Sequence, residues 1–253
     1  MEERKQKEIE FYDKQAYKGS GDFEGFLPQN LSSYKFLYNF IKDKCRDKRI
    51  LDYGCGNGIH SVFLAKCAGN VTAIDLSENQ LQIARKIAER EEGGIKIDFL
   101  KMDCEKLEFP DKFFDIIFDG GTFSSLDLGK SYLELARVLK NDGFLIGIET
   151  FGHNPFTNLK RKINKLVGKR TGWASEHIFQ VKNLEEARTY FDKIEVEYFH
   201  LISWAAFPFL RFPGGKYLLE FFEIVDGVLL KLPFLKKYAF KVVFILSQPK
   251  NND

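Results

Sequence analysis

Short apolar runs alternate with amphipathic segments between residues 49 and 150. The runs are apolar almost throughout, which is typical of strands that are covered by helices on both faces of a sheet. Strands that alternate with helical patterns in this way predict βα units and a parallel sheet. The five predicted strands lie at residues 49–53, 70–75, 95–100, 113–119 and 144–150.

Helical spacing of apolar residues marks the segments between these strands. In one of them Ser77 and Gln80 fit a capping box, and Ile83, Ala84, Ile87 and Ala88 fall on one face. The same reasoning places a strand at 194–202 and a closing strand at 240–247. Further helices are predicted at residues 1–18, 28–44, 58–68, 129–140 and 183–191.

A length of 253 residues suits one large α/β domain, and we predict a single domain over residues 1–253. Within it we expect an N-terminal helical lid (1–44), a core (45–150) and a third part (151–253). Nine of the 26 Phe residues lie between Phe199 and Phe244. This aromatic surplus predicts a helical, apolar insertion over 203–238, which must pack on the domain, a second subunit, a lipid or an apolar ligand.

Basic and acidic residues are nearly equal in number over the whole chain, but they are unevenly distributed along it. The 38 basic and 36 acidic residues give a net charge of +2, so no overall field attracts nucleic acid. Residues 159–170 hold six basic residues and no acidic one, with apolar residues at helical spacing. We expect a basic amphipathic helix over 156–170, which suits an anionic membrane surface or a phosphate-bearing ligand. The alternative is a helix on the sheet edge with a solvated basic face.

The four cysteines form no CxxC pair and have no His at ligand spacing, so neither a disulfide nor a metal site is expected. The charged start MEERKQKEIE does not resemble a signal peptide. The longest uncharged stretch, residues 199–210, is shorter than the ~20 residues of a membrane-spanning helix. These features predict a cytoplasmic protein, and the basic segment leaves peripheral contact with a membrane open.

Chemistry is concentrated in the turn after the first strand, which reads DYGCGNG. Glycines at this spacing let the backbone turn sharply and approach a ligand. The spacing G-x-G-x-G differs from the G-x-G-x-x-G of dinucleotide enzymes, and Asp52 ends the strand, where a pyrophosphate would not favour a carboxylate. Asp75 ends the second strand, 23 residues later, and Asp103 follows the third.

On these residues the chain resembles the class I S-adenosylmethionine-dependent methyltransferases. Four elements recur in the family's order over about residues 45–150: DYGCGNG, AIDLS, MDCE and FDGG. The resemblance implies a Rossmann-like, doubly wound and mostly parallel sheet of seven strands, with helices on both faces. It also implies an antiparallel last strand, for which FKVVFILS is the candidate, and S-adenosyl-L-methionine as the cofactor.

The resemblance also implies the cofactor's contacts. Asp75 would bind the ribose, Asp103 the adenine amine, and Leu76 and Cys104 the faces of the adenine ring. Gly54 and Gly56, with Asp119 and Gly120, would lie beside the methionine part. The alternative is that the acidic residues cap helices and turns. The full set of expected cofactor residues is Asp52, Gly54, Cys55, Gly56, Asp75, Leu76, Met102, Asp103, Cys104, Asp119 and Gly120.

The sequence defines the residues that would contact the methyl acceptor less closely than those that would contact the cofactor. His153 follows the fifth strand and is our first choice for a general base, with His177 second. Tyr12 and Tyr17 in the lid, and Ser124 after FDGG, are expected substrate contacts. For each residue the alternative is a solvated or packed side chain. His60 and His200 are interpreted as structural.

The leading hypothesis is methyl transfer by in-line displacement to a small-molecule, lipid-linked or glycan acceptor, with O-methylation favoured. The insertion and the basic helix favour an acceptor that is apolar or bears phosphate. An RNA methyltransferase is an alternative, disfavoured because strand four ends in DGGT and no Pro-Cys pair is present. A second alternative is a non-catalytic cofactor-binding subunit, in which residues 203–238 form an interface with a partner or another copy.

Overall fold

The computed structural model describes residues 2–17, 31–67, 69–91, 95–166 and 171–250. Seven strands form one sheet in the order β3-β2-β1-β4-β5-β7-β6. Their bounds are β1 Arg49–Tyr53, β2 Asn70–Asp75, β3 Asp98–Lys101, β4 Phe114–Asp119, β5 Leu139–Thr150, β6 Phe191–Phe199 and β7 Lys241–Pro249.

Helices precede, connect and follow the strands. They are α1 Glu3–Tyr17, α2 Ser32–Lys42, α3 Ile59–Lys66, α4 Glu78–Glu89, α5 Leu128–Val138, α6 Pro155–Leu166, α7 Gly172–Glu176, α8 Val181–Ala187, α9 Gly215–Leu229 and α10 Pro233–Lys236. Two 3₁₀ segments, Phe123–Ser125 and Ser203–Arg211, complete the described secondary structure.

The sheet is parallel from β3 through β5, and β7 is antiparallel to both of its neighbours, β5 and β6. This confirms the predicted seven-stranded, mostly parallel sheet with an antiparallel last strand. The carboxyl ends of β1 to β6 therefore meet at one edge, where β7 begins at Lys241. Ligands of open α/β sheets bind at this edge, so it is the place to look for a site.

Side chains alternate between the two faces of the central strands, and each face is buried. Leu51 and Tyr53 of β1 belong to a core cluster that also contains Leu135 of α5. Ile50 of the same strand belongs to the opposite cluster, together with Leu37 of α2. Burial on both faces explains why the strands are apolar in nearly every position.

Several predicted bounds were displaced, each for a local reason. The helix predicted at 183–191 is α8, which begins earlier because Gln180 and Asn183 form a capping box. The strand predicted at 194–202 is β6, which ends at Phe199 because His200 has a left-handed backbone (φ 62°). The strand predicted at 144–150 is β5, which begins earlier, at Leu139, with an irregular stretch where the pairing with β4 shifts register. The basic helix was predicted over 156–170; α6 ends at Leu166, and residues 167–170 lie outside the described part.

Residues 203–238 form the helical, aromatic-rich insertion that was predicted between the last two strands. The 3₁₀ segment Ser203–Arg211, α9 and α10 make up this insertion, and Ala206 and Leu219 share a small core with Leu31. Among the described residues, no helix has both the length and the apolar character needed to cross a membrane.

Candidate functional site

The turn between β1 and α3 has an open backbone face. Gly54, Gly56 and Gly58 all have left-handed backbones (φ 71°, 51° and 77°), which glycine adopts at little cost. A Cβ on Gly54 would lie 2.3 Å from Oγ1 of Thr122, so that glycine is needed for close packing. A Cβ on Gly56 would meet nothing within 4 Å. The backbone at Gly56 therefore faces free space at the carboxyl edge of the sheet.

Asp75 holds this turn against the end of β2. Its Oδ2 accepts a hydrogen bond from the Gly56 N–H (2.9 Å), and its Oδ1 accepts one from the Ser77 N–H (2.8 Å). Burial raises the pKa of Asp75, and the backbone hydrogen bonds counteract that shift. Asp75 thus has a structural role in addition to the ribose contact, which stays a prediction.

Asp52 and Asp119 are buried carboxyl groups at the ends of β1 and β4. Oδ2 of Asp52 accepts a hydrogen bond from Ser61 Oγ (2.5 Å), and burial raises its pKa to about 7. Oδ1 of Asp119 accepts the Thr122 N–H (2.8 Å), while its Oδ2 has no hydrogen-bond partner among the described residues. Burial, and then the nearby Glu149, raise the pKa of Asp119 well above its ordinary value. Both groups bring latent negative charge to the site, where a cationic ligand would stabilise the ionised forms.

Helix α1 lies across the loops that follow β2 and β3. Lys5 Nζ is 2.6 Å from Asp103 Oδ2 and 2.9 Å from Oε2 of the buried Glu105. Further along α1, the Tyr12 carbonyl accepts a hydrogen bond from Gln80 Nε2 (3.1 Å) at the start of α4. The helix is thus positioned as the predicted lid would be, and its function as a lid stays a prediction.

The other expected cofactor residues lie near the same edge. Cys55 and Cys104 are buried, and the Cys104 carbonyl accepts a hydrogen bond from the Tyr53 hydroxyl (2.6 Å). Leu76, Met102 and Gly120 are partly exposed. Their contacts with a cofactor stay predictions. Among the described residues there is no cluster of His, Cys, Asp or Glu that could hold a metal ion.

His60, which the sequence analysis interpreted as structural, lies beside Gly120. A Cβ on Gly120 would be 2.8 Å from His60 Cδ2 and 3.1 Å from Nε2. The Tyr38 hydroxyl is 2.9 Å from His60 Nδ1, and the Tyr34 ring is stacked on the imidazole at 6.1 Å. Burial, assisted by Lys241, lowers the pKa of His60 to about 4, so the ring is neutral at pH 7. The sequence feature that could have pointed to His60 as a site residue is its position in the first helical turn after the glycine motif.

The two histidines that were predicted to be catalytic make other contacts. His153 Nε2 accepts a hydrogen bond from the Val181 N–H (3.3 Å), and its ring meets Phe151 edge-on. His177 Nδ1 is 3.0 Å from the Trp173 carbonyl, and the two rings are stacked at 3.7 Å. None of these contacts is with Gly120 or the glycine turn. Their catalytic role stays a prediction, and His60 is the histidine that the structure brings to the end of β4.

The predicted substrate contacts are distributed as follows. The Tyr12 hydroxyl is 3.2 Å from Oγ of Ser125, the neighbour of the predicted Ser124. Ser124 itself is buried. Tyr17 is the last residue of α1, and its side chain lies outside the described part of the structure. The structure therefore connects α1 with the loop after β4 through Ser125.

Comparisons with known proteins agree with this geometry. A family model described as a methyltransferase domain matches residues 51–147. An uncharacterised methyltransferase, YodH, of Bacillus subtilis is 33% identical over 116 residues, which cover 46% of this chain and 49% of that protein. A ubiquinone biosynthesis O-methyltransferase of Actinobacillus pleuropneumoniae is 36% identical over 103 residues, covering 40% and 43%. The chain thus spans about half the length of these curated relatives.

The fold agrees with solved structures at low sequence identity. Phosphoethanolamine N-methyltransferase 2 of Haemonchus contortus, in complex with S-adenosyl-L-methionine, superposes with a TM-score of 0.59 at 21% identity. The match covers 86% of this chain and 53% of that one. The family model over residues 51–147, the sheet order of this chain and its glycine turn together support the predicted membership of the class I S-adenosylmethionine-dependent methyltransferases.

Proposed function

We propose that this protein transfers a methyl group from S-adenosyl-L-methionine to a small-molecule acceptor, with a hydroxyl oxygen favoured. The observation that carries the proposal is the open face of the turn at Gly56, held by Asp75 at the carboxyl edge of the sheet. Free space next to this backbone, with the carboxyl group of Asp75 beside it and those of Asp52 and Asp119 at the ends of neighbouring strands, fits a ligand with ribose hydroxyls and two cationic centres.

The residues around this space would divide the cofactor between them. Asp75 would bind the ribose and Asp103 the adenine amine, while Gly54, Gly56, Asp119 and Gly120 would surround the methionine part. When bound, the cofactor supplies a methyl group that is already activated by its sulfonium. The protein's own contribution is then to align an acceptor and to exclude water.

His60 is suited to align that acceptor. Because its pKa is lowered, the imidazole is neutral and can accept a hydrogen bond from a hydroxyl group. Tyr38 fixes the ring through Nδ1, and in the tautomer whose Nδ1–H donates to the Tyr38 oxygen, Nε2, the nitrogen nearer Gly120, is the acceptor. We assign His60 the role of orienting the acceptor, and Tyr38 that of positioning His60.

The relatives' names support an acceptor that is apolar. One relative, 36% identical over 103 residues, is named as a ubiquinone biosynthesis O-methyltransferase. The apolar insertion of this chain, which exposes large side chains such as Phe221 and Phe234, supports the same class of acceptor. A lipid-linked acceptor with a free hydroxyl is therefore the form of the proposal that we favour over a free glycan.

Two alanine variants with matched backbone strain test the cofactor site by isothermal titration calorimetry. Gly56 and Gly214 both have a positive φ, and a Cβ on either meets nothing within 4 Å. Gly56→Ala should weaken S-adenosyl-L-methionine binding by about tenfold or more, because the methyl group occupies the ligand's space, whereas Gly214→Ala should bind as the wild type does. Equal affinity in both variants would refute this location for the cofactor.

Activity is tested separately, with methyl-labelled cofactor and a lipid extract as the source of acceptors. The wild type should form S-adenosylhomocysteine together with a labelled product that partitions into the organic phase. Cofactor binding without turnover would instead favour the non-catalytic subunit, and label in RNA would favour the nucleic-acid alternative.

A further inference from the structure

We propose that the exposed apolar side chains of residues 156–163 and 209–234 form one docking face, and that this face binds the surface of an anionic lipid bilayer. Large contiguous apolar patches are uncommon on soluble proteins and mark sites of interaction. The proposal commits to lipid as the occupant because of the charges that accompany the apolar residues.

Helix α9 presents an apolar stripe outward. Tyr217, Phe221, Ile224 and Val228 follow each other at helical spacing and are 59–75% exposed. On the inward side, Leu219 and Asp226 are buried against the rest of the insertion. The helix is thus anchored by one face while the opposite face, also apolar, has no partner within the described structure.

Helix α6 extends this surface. Phe156, Leu159 and Ile163 lie at spacings of three and four residues and are 52–68% exposed. The Phe156 ring is stacked at 6.3 Å on Trp204 of the 3₁₀ segment Ser203–Arg211, and α9 packs on the same segment through Leu219 and Ala206. Two helices that are connected through one segment and expose apolar faces resemble an element that rests in a membrane interface.

The segments that form the docking face carry more basic than acidic residues. Residues 203–238 contain five basic and three acidic residues. Asp226 is buried and accepts the Ile202 and Ser203 N–H groups, and Glu223 accepts the Ser32 N–H. That leaves Glu220, which is near Lys216 (3.7 Å). Helix α6 has four basic residues and no acidic one.

This distribution favours an anionic bilayer over a second copy of the chain. Self-association through the face would bring the basic residues of two copies together, which costs free energy, whereas acidic lipid head groups would stabilise them. Arg161 is buried and donates to the Phe151 carbonyl, so it anchors α6, whereas Lys162 of the same helix is exposed.

The docking face is connected to the candidate site through Tyr34 of α2. Its ring packs with the insertion's core of Leu31, Ala206 and Leu219, and is also stacked on His60. An acceptor that is dissolved in the bilayer would therefore approach from the side on which His60 lies. The approach of an acceptor toward His60 rests on the proposed function, whereas binding of the docking face to a bilayer does not.

Co-sedimentation of the full chain with vesicles, without cofactor or acceptor, tests the docking. Vesicles of phosphatidylcholine alone are compared with vesicles that also contain phosphatidylglycerol. We expect binding to the anionic vesicles, and a loss of about tenfold or more in Phe221→Asp/Ile224→Asp. Leu133→Asp on α5, where an exposed Leu lies outside the face, is the matched control and should bind as the wild type does.

A second pair of variants tests how much positive charge contributes to vesicle binding. Lys231→Glu should weaken binding to the anionic vesicles by roughly fivefold or more per charge removed, and Lys182→Glu on α8 should not. The proposal is overturned if the wild type binds neither vesicle type or binds both equally. It is also overturned if light scattering shows a dimer that Phe221→Asp/Ile224→Asp dissociates, because the face would then bind a second copy. Since no methyl transfer is measured, failure here is distinct from failure of the proposed function.

Discussion

The imidazole of His60 lies against the Cα of Gly120, so closely that a methyl group on Gly120 would come within 2.8 Å of Cδ2. The two residues are 60 positions apart in the chain and meet because β1 and β4 are adjacent parallel strands. Because residue 120 has no Cβ, the neutral ring of His60 can lie beside the end of β4.

Gly120→Ala should displace His60 and lower acceptor turnover. Overpacking of this kind costs about 1–3 kcal/mol of unfolding free energy. The backbone of Gly120 is not left-handed, so alanine adds strain only through the imidazole. Thermal unfolding and kcat/KM for the acceptor measure the two effects, with Gly172→Ala as the control, because a Cβ there meets nothing within 4 Å.

A double-mutant cycle decides whether the clash is with His60. In a His60→Ala background, Gly120→Ala should lose most of its destabilising effect, since the ring that it strikes is absent. A penalty that persists unchanged in that background would contradict the assigned contact.

Tyr38→Phe should lower kcat/KM for the acceptor by about tenfold without changing the affinity for the cofactor. The change removes the hydroxyl that lies 2.9 Å from Nδ1 and leaves His60 free to rotate. Tyr34→Phe is the control, because its ring is stacked on His60 while its hydroxyl is near Lys241 Nζ (3.4 Å). The ¹⁵N shifts of the His60 ring should change in Tyr38→Phe, and an unchanged ring spectrum would refute the positioning role.

The glycine turn and the acidic residues at the strand ends could be predicted because they depend on neighbouring residues along the chain. A parallel βα pattern implies that strand ends share one edge, so Asp52, Asp75 and Asp119 could be brought together without any coordinates. The sequence pattern also indicated the insertion, since its aromatic surplus exceeds what the sheet requires.

Contacts between distant segments could not be predicted in this way. His60 and Gly120, or Lys5 and Asp103, meet only through the packing of separate elements, which local periodicity does not encode. His60 was interpreted as structural because it lies on a helix, and the role that we propose for it comes from the strand end that the helix faces, which the sequence does not show.

Asp52→Asn should change the dependence of stability on pH. Burial raises the pKa of Asp52 from 3.8 to about 7, so between these values the folded protein holds a proton that the unfolded chain releases. Unfolding free energy is therefore lost as the pH rises through this window, by up to about 1.4 kcal/mol per pH unit from this one group.

The asparagine variant cannot ionise at this position, and its amide oxygen can still accept the Ser61 hydrogen bond. It should be as stable as the wild type near pH 4 and more stable, on the order of a few kcal/mol, at pH 8. Urea unfolding at both pH values measures the difference. The same pH slope in both proteins would show that Asp52 ionises normally in the fold.

Lys5→Gln should loosen α1, whereas Lys7→Gln should not. Lys5 is largely covered and contacts both Asp103 and the buried Glu105, while Lys7 pairs with Glu3 on the exposed side of the same helix. Removing Lys5 leaves a buried carboxylate with less compensation, which costs far more than breaking an exposed pair. We expect amide hydrogen exchange in residues 3–14 to be faster by about tenfold or more in Lys5→Gln. Equal exchange in the two variants would mean that α1 is held by its other contacts, and that the link between Lys5 and Asp103 does not fasten the helix over the cofactor site.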